Sequence, residues 1–179
     1  RPPRNRAMTT YAPLRDADTA DLPPALATFA AQIPPSHRDV LARCFRGWAQ
    51  LIVDTAIPRK RAFDITRMPP AVWPSLFMLE VFDRGQQFRY KVVGTEIVQN
   101  LDRDVTADCV PAWACPCDAA RVLESYRHVV RSREPVLTSG RLPHRPHRGY
   151  IYLALPLKGD NDQVTHILGA VDFYTADPA

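Results

Sequence analysis

At 179 residues with 46% of them hydrophobic, the chain is long enough for one well-buried core and reads as one domain with extensions. No apolar run approaches the roughly 20 residues of a bilayer crossing, and the basic start Arg1-Pro-Pro-Arg-Asn-Arg6 leads into no apolar core of signal-peptide type, which argues against a membrane span and against export. The net charge of +4 gathers basic residues at Arg1, Arg4, Arg6 and Arg15, at Arg59-Lys-Arg61 and from Arg141 to Arg148; with no interleaved aromatics and no recognition motif, these read as solvated charge and argue against a nucleic-acid partner.

In chain order, residues 1–35 are rich in Pro, Ala, Arg and Asp and predict an extended arm with a short helical turn around Ala25 to Ala31. Ser36, with Asp39 three residues on, predicts a capped helix running to about Thr55, within a flanking segment of residues 36–57. Val40, Leu41, Cys44, Phe45, Trp48, Leu51 and Ile52 recur along it at helical spacing. Their apolar face is broad, so the helix must pack on the sheet that follows or on a partner chain. Residues 58–179 then read as the main domain. Met68-Pro-Pro-Ala-Val-Trp-Pro74 predicts a single turn opened by proline. Leu76 to Phe82 is an apolar strand, Asp83-Arg-Gly-Gln86 a turn, and Phe88, Tyr90 and Val92 alternate with Arg89 and Lys91 as a half-buried strand. On that alternation the three should share one face. Thr95 is placed to cap a short helix carrying Ile97, Val98 and Leu101 on one side. After an irregular stretch, Asp102 to Pro116, a long helix starts near Pro116 with Val122, Tyr126, Val129 and Val130 inside and Arg121, Arg127 and Arg131 outside. Val136–Leu142, Tyr150–Leu157 and Val164–Tyr174 predict three closing strands, the last two joined by Gly159-Asp-Asn-Asp162.

These residues carry a resemblance. Trp48, Arg61-Ala-Phe-Asp64 ahead of Pro69, Leu76 to Val81, and Phe88-Arg-Tyr90 followed by Val93-Gly-Thr95 are its first part. Arg103-Asp-Val-Thr106, Tyr126, Pro135-Val136 and Leu155-Pro-Leu157 complete it. Over roughly residues 40–174 the chain resembles an alphaproteobacterial family of small PAS-like proteins. The resemblance implies an α+β PAS fold: a five-stranded antiparallel sheet of order 2-1-5-4-3, helices on one face and the leading helix against the other face or a partner. It implies a sensory role and no particular reaction or ligand. The family tends to carry glycine where this chain has Asp102 and Ala107; Asp suits left-handed backbone, whereas Ala107 is less forgiving and leaves the loop conformation there open.

Catalytic motifs are not found: there is no phosphate-binding Gly loop, no Gly-x-Ser-x-Gly elbow and no His-Glu-x-x-His pair. His144, His147 and His166 with Asp160 and Asp172 form the nearest catalytic-looking set, and histidines in so Arg/Pro-rich a loop read as solvated. His144-x-x-His147 with Cys115 and Cys117 is poorly spaced for a tetrahedral metal site, so no metal is expected. His128, the one histidine on the long helix, lies about 100 degrees from Val129 and about 200 degrees from Tyr126, at the margin for a haem ligand. No flavin-attachment cysteine segment appears, and no cofactor is expected. Cys44, Cys109, Cys115 and Cys117 are expected as reduced thiols in a cytoplasmic protein.

What remains is an apolar cavity between sheet and helices, with Phe88, Tyr90, Ile97, Val98, Leu101, Trp113, Val122 and Tyr126 as its candidate lining; Tyr126 and Trp113 carry polar atoms able to orient a ligand. The expected function is a non-catalytic sensory or signalling module binding a small ligand or a signalling protein. The alternatives are a homodimerisation or scaffold module with a filled core and an enzyme using the cavity for proton transfer. A cavity too small for any ligand would favour the second; a buried Asp or Glu beside Tyr126 would mark the third. A homodimer is expected through Val40, Leu41, Phe45, Trp48, Leu51 and Ile52.

Overall fold

The computed structural model describes residues 22–53, 56–110 and 116–176; the expectations for residues 1–21, for the helix end at Thr55, for Trp113 and for Cys115 lie outside the described residues. α1 (Pro24–Ala31) opens on proline, whose missing N–H costs nothing in the first turn. Its Phe29 ring rests on Phe45, with centroids 5.3 Å apart. A 3-10 turn, Pro35–His37, then leads into α2 (Arg38–Ala49).

Two expectations for α2 are corrected. Ser36 is taken up by the preceding turn, so His37 occupies the N-cap position and no side chain caps the helix. The helix also stops at Ala49, which leaves Leu51 and Ile52 beyond it, half-buried. Leu41, Cys44, Phe45 and Trp48 do share one stripe and are at most 1% exposed. They are covered by the chain's own sheet. Trp48 Nε1 donates to the Pro156 carbonyl at 2.8 Å, and His37 Nδ1 lies 2.8 Å from the Asp172 carboxylate, fixing both ends of α2 to the strands beneath. Burial pushes the Cys44 thiol up to about 12, so it packs as a small hydrophobe.

Short 3-10 turns carry the chain to β1 (Leu76–Phe82). β2 (Gln87–Val93), α3 (Thr95–Leu101), α4 (Pro116–Ser132), β3 (Val136–Leu142), β4 (Arg145–Lys158) and β5 (Val164–Thr175) follow. The strands form one antiparallel sheet in the order β2-β1-β5-β4-β3, as expected. α3 begins one residue earlier than read: Gly94 is its N-cap and Thr95 its first residue, with no side-chain cap.

Both faces of the sheet are apolar, and each is covered. Leu76, Met78, Leu153, Leu155, Leu168 and Ala170 pack beneath α2 on what is here called the outer face. Phe77, Leu79, Tyr150, Tyr152, Ile167 and Val171 pack against α3 and α4 on the inner face. Adjacent residues thus enter opposite cores, as the pleat demands.

A bulge in β2 overturns one expected grouping. Leu79 pairs with Tyr90 but Met78 with Val92, so Lys91 is the extra residue and the alternation resets after it. Phe88 and Tyr90 face inward, 1% and 4% exposed, whereas Val92 faces out at 38%. β2 is an edge strand, yet its outer rim is sealed. Ala107 N donates to Tyr90 O at 2.8 Å, Tyr90 N to Asp108 O at 3.0 Å and Val110 N to Phe88 O at 2.9 Å. To lie along that rim the chain turns through left-handed backbone at Asp102 (φ 57°) and Ala107 (φ 70°), the two glycine-like positions.

Candidate functional site

The inner face builds an aromatic nest. β1 supplies Phe77, β2 Phe88 and Tyr90, α4 Tyr126, and β4 Tyr150 and Tyr152. Phe77 stands 6.4 Å from Tyr90, 6.2 Å from Tyr126 and 6.2 Å from Tyr152; Tyr126 meets Phe88 at 5.6 Å and Tyr152 at 5.7 Å. Such tilted and edge contacts suit the ring quadrupoles. Ser125 Oγ donates to the Val122 carbonyl at 2.7 Å, so its single proton is used there. The Tyr152 hydroxyl, 2.5 Å away, is therefore the donor to Ser125. Arg121 donates to the Tyr150 hydroxyl at 3.1 Å. Burial pushes the Tyr126 phenol well above its ordinary range, with the Tyr90 and Tyr152 phenols acting in the same direction. Tyr152 is likewise raised by burial, partly offset by its hydrogen bonds to Ser125 and Thr138.

The side of the nest near α3 is held shut by polar contacts. Asn100, 6% exposed, donates from Nδ2 to Glu96 O at 3.0 Å and accepts from Arg148 at 2.9 Å. His144 lies 3.1 Å from Asn100 O, and Arg145 donates to Asp102 at 2.5 Å. The Arg141–Arg148 cluster thus ties the β3–β4 turn to the end of α3.

Between these walls remains a cavity of about 30 Å³ lined by Phe77, Tyr90, Ile97, Leu101, Tyr126, Leu142, Tyr150, Tyr152, Val171 and Phe173. A water needs about 10–15 Å³ on this measure, so there is room for a water or two. Of the expected lining, Tyr90, Ile97, Leu101 and Tyr126 are on the wall. Phe88 and Val122 pack in the surrounding core instead, and Val98 is half-buried away from the cavity. Phe77, Leu142, Tyr150, Tyr152, Val171 and Phe173 were not foreseen.

The other expected chemistry is scattered. Asp172 is bound to His37, Asp160 faces Arg59 and Arg61 at 3.8 and 3.4 Å, and His166 sits on β5. His128 is exposed on α4, consistent with its place outside the inner face. Among the described residues no group of three or more His, Cys, Asp or Glu is arranged to hold a metal ion, and no helix is long and apolar enough to cross a membrane.

Strand order, two helix-covered faces and the position of the nest decide the architecture. The fold is a PAS fold. No family model and no curated protein matches the chain. Among solved structures it is similar to the PAS domain of BvgS from Bordetella pertussis, at 14% identity over 60% of this chain and 81% of that one, TM-score 0.47. It is also similar to a sensory box sensor histidine kinase from Vibrio cholerae, at 12% identity over 57% and 82% of the two chains, TM-score 0.45. A variant of the PAS-B domain of Drosophila melanogaster Cycle gives 11% identity over 56% and 99%, TM-score 0.44. These likenesses are distant, and the PAS assignment rests on the topology itself.

Proposed function

We propose that this PAS domain is a non-catalytic sensory or signalling module that acts by association, with its inner cavity closed to any organic ligand. The observation that carries the reading is the cavity of about 30 Å³, against the several hundred Å³ a ligand pocket takes. Among the described residues its wall holds phenols and hydrocarbon with no carboxylate or imidazole, and a phenol whose pKa is raised by burial stays protonated near neutral pH. That chemistry supports no proton-transfer reaction. The sensory part of the reading is analogy at the level of fold, since a PAS fold prescribes no reaction by itself.

Native mass spectrometry of protein purified from its own host tests this. The expected spectrum shows no organic molecule whose retention depends on the inner cavity, with or without a protein partner. A retained organic molecule that Leu142→Phe or Val171→Phe expels would overturn it, because both side chains line the cavity.

The filled core also favours a homodimerisation or scaffold module, and a second observation bears on that reading: among the described residues β3 stands at the edge of the sheet and pairs with β4 alone. A light-scattering mass of two chains, lowered by Thr138→Pro in that strand, would support it.

A further inference from the structure

The outer face carries a second concavity, on the opposite side of the sheet from the nest and far larger, about 500 Å³. Its accessible apolar surface is Val92 on the sheet with half-buried Phe63 and Ile65 from the 3-10 turns as one wall, and the buried Met78 and Leu168 lie beneath. At this volume it falls within the range of small-molecule sites. The bulge at Lys91 makes it what it is. Without the extra residue, Val92 would point into the inner core; with it, Lys91 and Val92 both face outward, setting a cation directly beside exposed apolar surface.

The charges around the rim are Lys60, Arg61 and Lys91 against Asp64. Asp64 is occupied within its own turn, accepting from Thr66 N at 2.9 Å and Thr66 Oγ1 at 2.8 Å. Arg61 reaches Asp160 at 3.4 Å, and Lys91 lies 3.6 Å from Glu80, which Arg89 already holds at 2.9 Å. Lys60 has no carboxylate within ion-pair distance among the described residues. Its field is felt nearby: burial lowers the His166 pKa first, and Lys60 follows as the next cause, outweighing the opposing effect of Glu80. The groove is therefore apolar at its base and net positive at its rim.

We propose that this groove binds a small anionic amphiphile, a carboxylate on an apolar body. The body lies against Val92, Phe63 and Ile65, above the buried Met78 and Leu168, and the carboxylate takes charge-assisted hydrogen bonds from Lys60 and Lys91. Binding here does not depend on the signalling reading, nor on the inner cavity.

The test titrates the full chain with sodium octanoate and, separately, with uncharged 1-octanol, following backbone amides by NMR. Octanoate is expected to shift Met78, Val92 and Leu168 saturably at one equivalent while leaving Tyr126 and Tyr152 in place. The pair Lys60→Ala with Lys91→Ala should weaken octanoate about ten-fold or more and leave 1-octanol unchanged. Lys91→Arg should retain binding. Lys91 is exposed and Lys60 half-buried, and circular dichroism verifies that the doubly substituted chain is folded. Absence of saturation, equal affinity for the two probes, or shifts centred on the inner tyrosines would overturn the proposal. So would a wild-type dimer that Val92→Glu converts to monomer, which would give the groove to a second copy of the chain.

Discussion

Ala107 holds a left-handed backbone, φ 70°, because the segment it opens must turn to run along β2. For an L-residue with a Cβ that conformation costs about 1–2 kcal/mol. Glycine would remove the cost but loses about 0.4–1 kcal/mol through its freer unfolded chain. Relief outweighs loss, so Ala107→Gly should stabilise the domain by about 0.5–1 kcal/mol, seen as a higher urea midpoint at unchanged slope. Asp102, at φ 57°, should show a smaller gain, since Asp accepts this region more readily. A second residue-scale prediction concerns Lys158, buried at 3% exposure with its ammonium on the Asp162 carboxylate. The hydrogen bond from Lys158, then that from Arg133, holds the Asp162 pKa below its ordinary value. Its stabilisation is therefore complete above the unfolded carboxyl pKa of about 4 and is lost as pH falls through the lower folded value. Asp162→Asn keeps a residue tolerant of the left-handed backbone there (φ 64°) while leaving Lys158 without its carboxylate. The variant should be less stable at neutral pH, and thermal melts from pH 7 to 3 should show a shallower acid decline than the wild type's.

At the scale of elements, α2 belongs to the core. The breadth of its apolar face is what suggests an interface, but a five-stranded sheet with two apolar faces already covers it. Phe45 and Trp48, at 1% and 0% exposure, touch strands and not solvent. Truncating either to alanine should cost about 3–5 kcal/mol, a large share of the roughly 5–15 kcal/mol a domain possesses. Phe45→Ser with Trp48→Ser should thus yield loss of circular dichroism; a folded variant of lower oligomeric state would contradict this packing. The strands were legible because each half-buried or turn-bounded apolar run announces itself: β1 and β3 have the expected limits, and β5 ends one residue late. The cavity wall was legible only where period or helical face was. Tyr90, Ile97, Leu101 and Tyr126 alternate or recur against polar neighbours. Tyr150 to Leu157, by contrast, is buried on both faces, so nothing in the run separates inward Tyr150 and Tyr152 from outward Ile151 and Leu153. The bulge at Lys91 has no local signature either, since neither glycine nor proline marks it.

For the whole molecule, the nest predicts an observable absence. With about 30 Å³ inside, the purified protein should show no absorbance band in the Soret or flavin regions; a band retained through gel filtration would refute the packing described. The sheet's two rims have a further consequence. On one side the backbone of β2 is capped by Ala107 to Val110 from the same chain. On the other, β3 ends the ladder, and the Arg121 guanidinium already sits on its Ser139 carbonyl at 2.5 Å. Among the described residues that leaves one lateral rim to pair, and a body of that kind can accept one neighbour and then has nowhere left to add the next. Were such units to join strand to strand, the joining would stop at a closed pair and polymer growth would have no second rim to continue from.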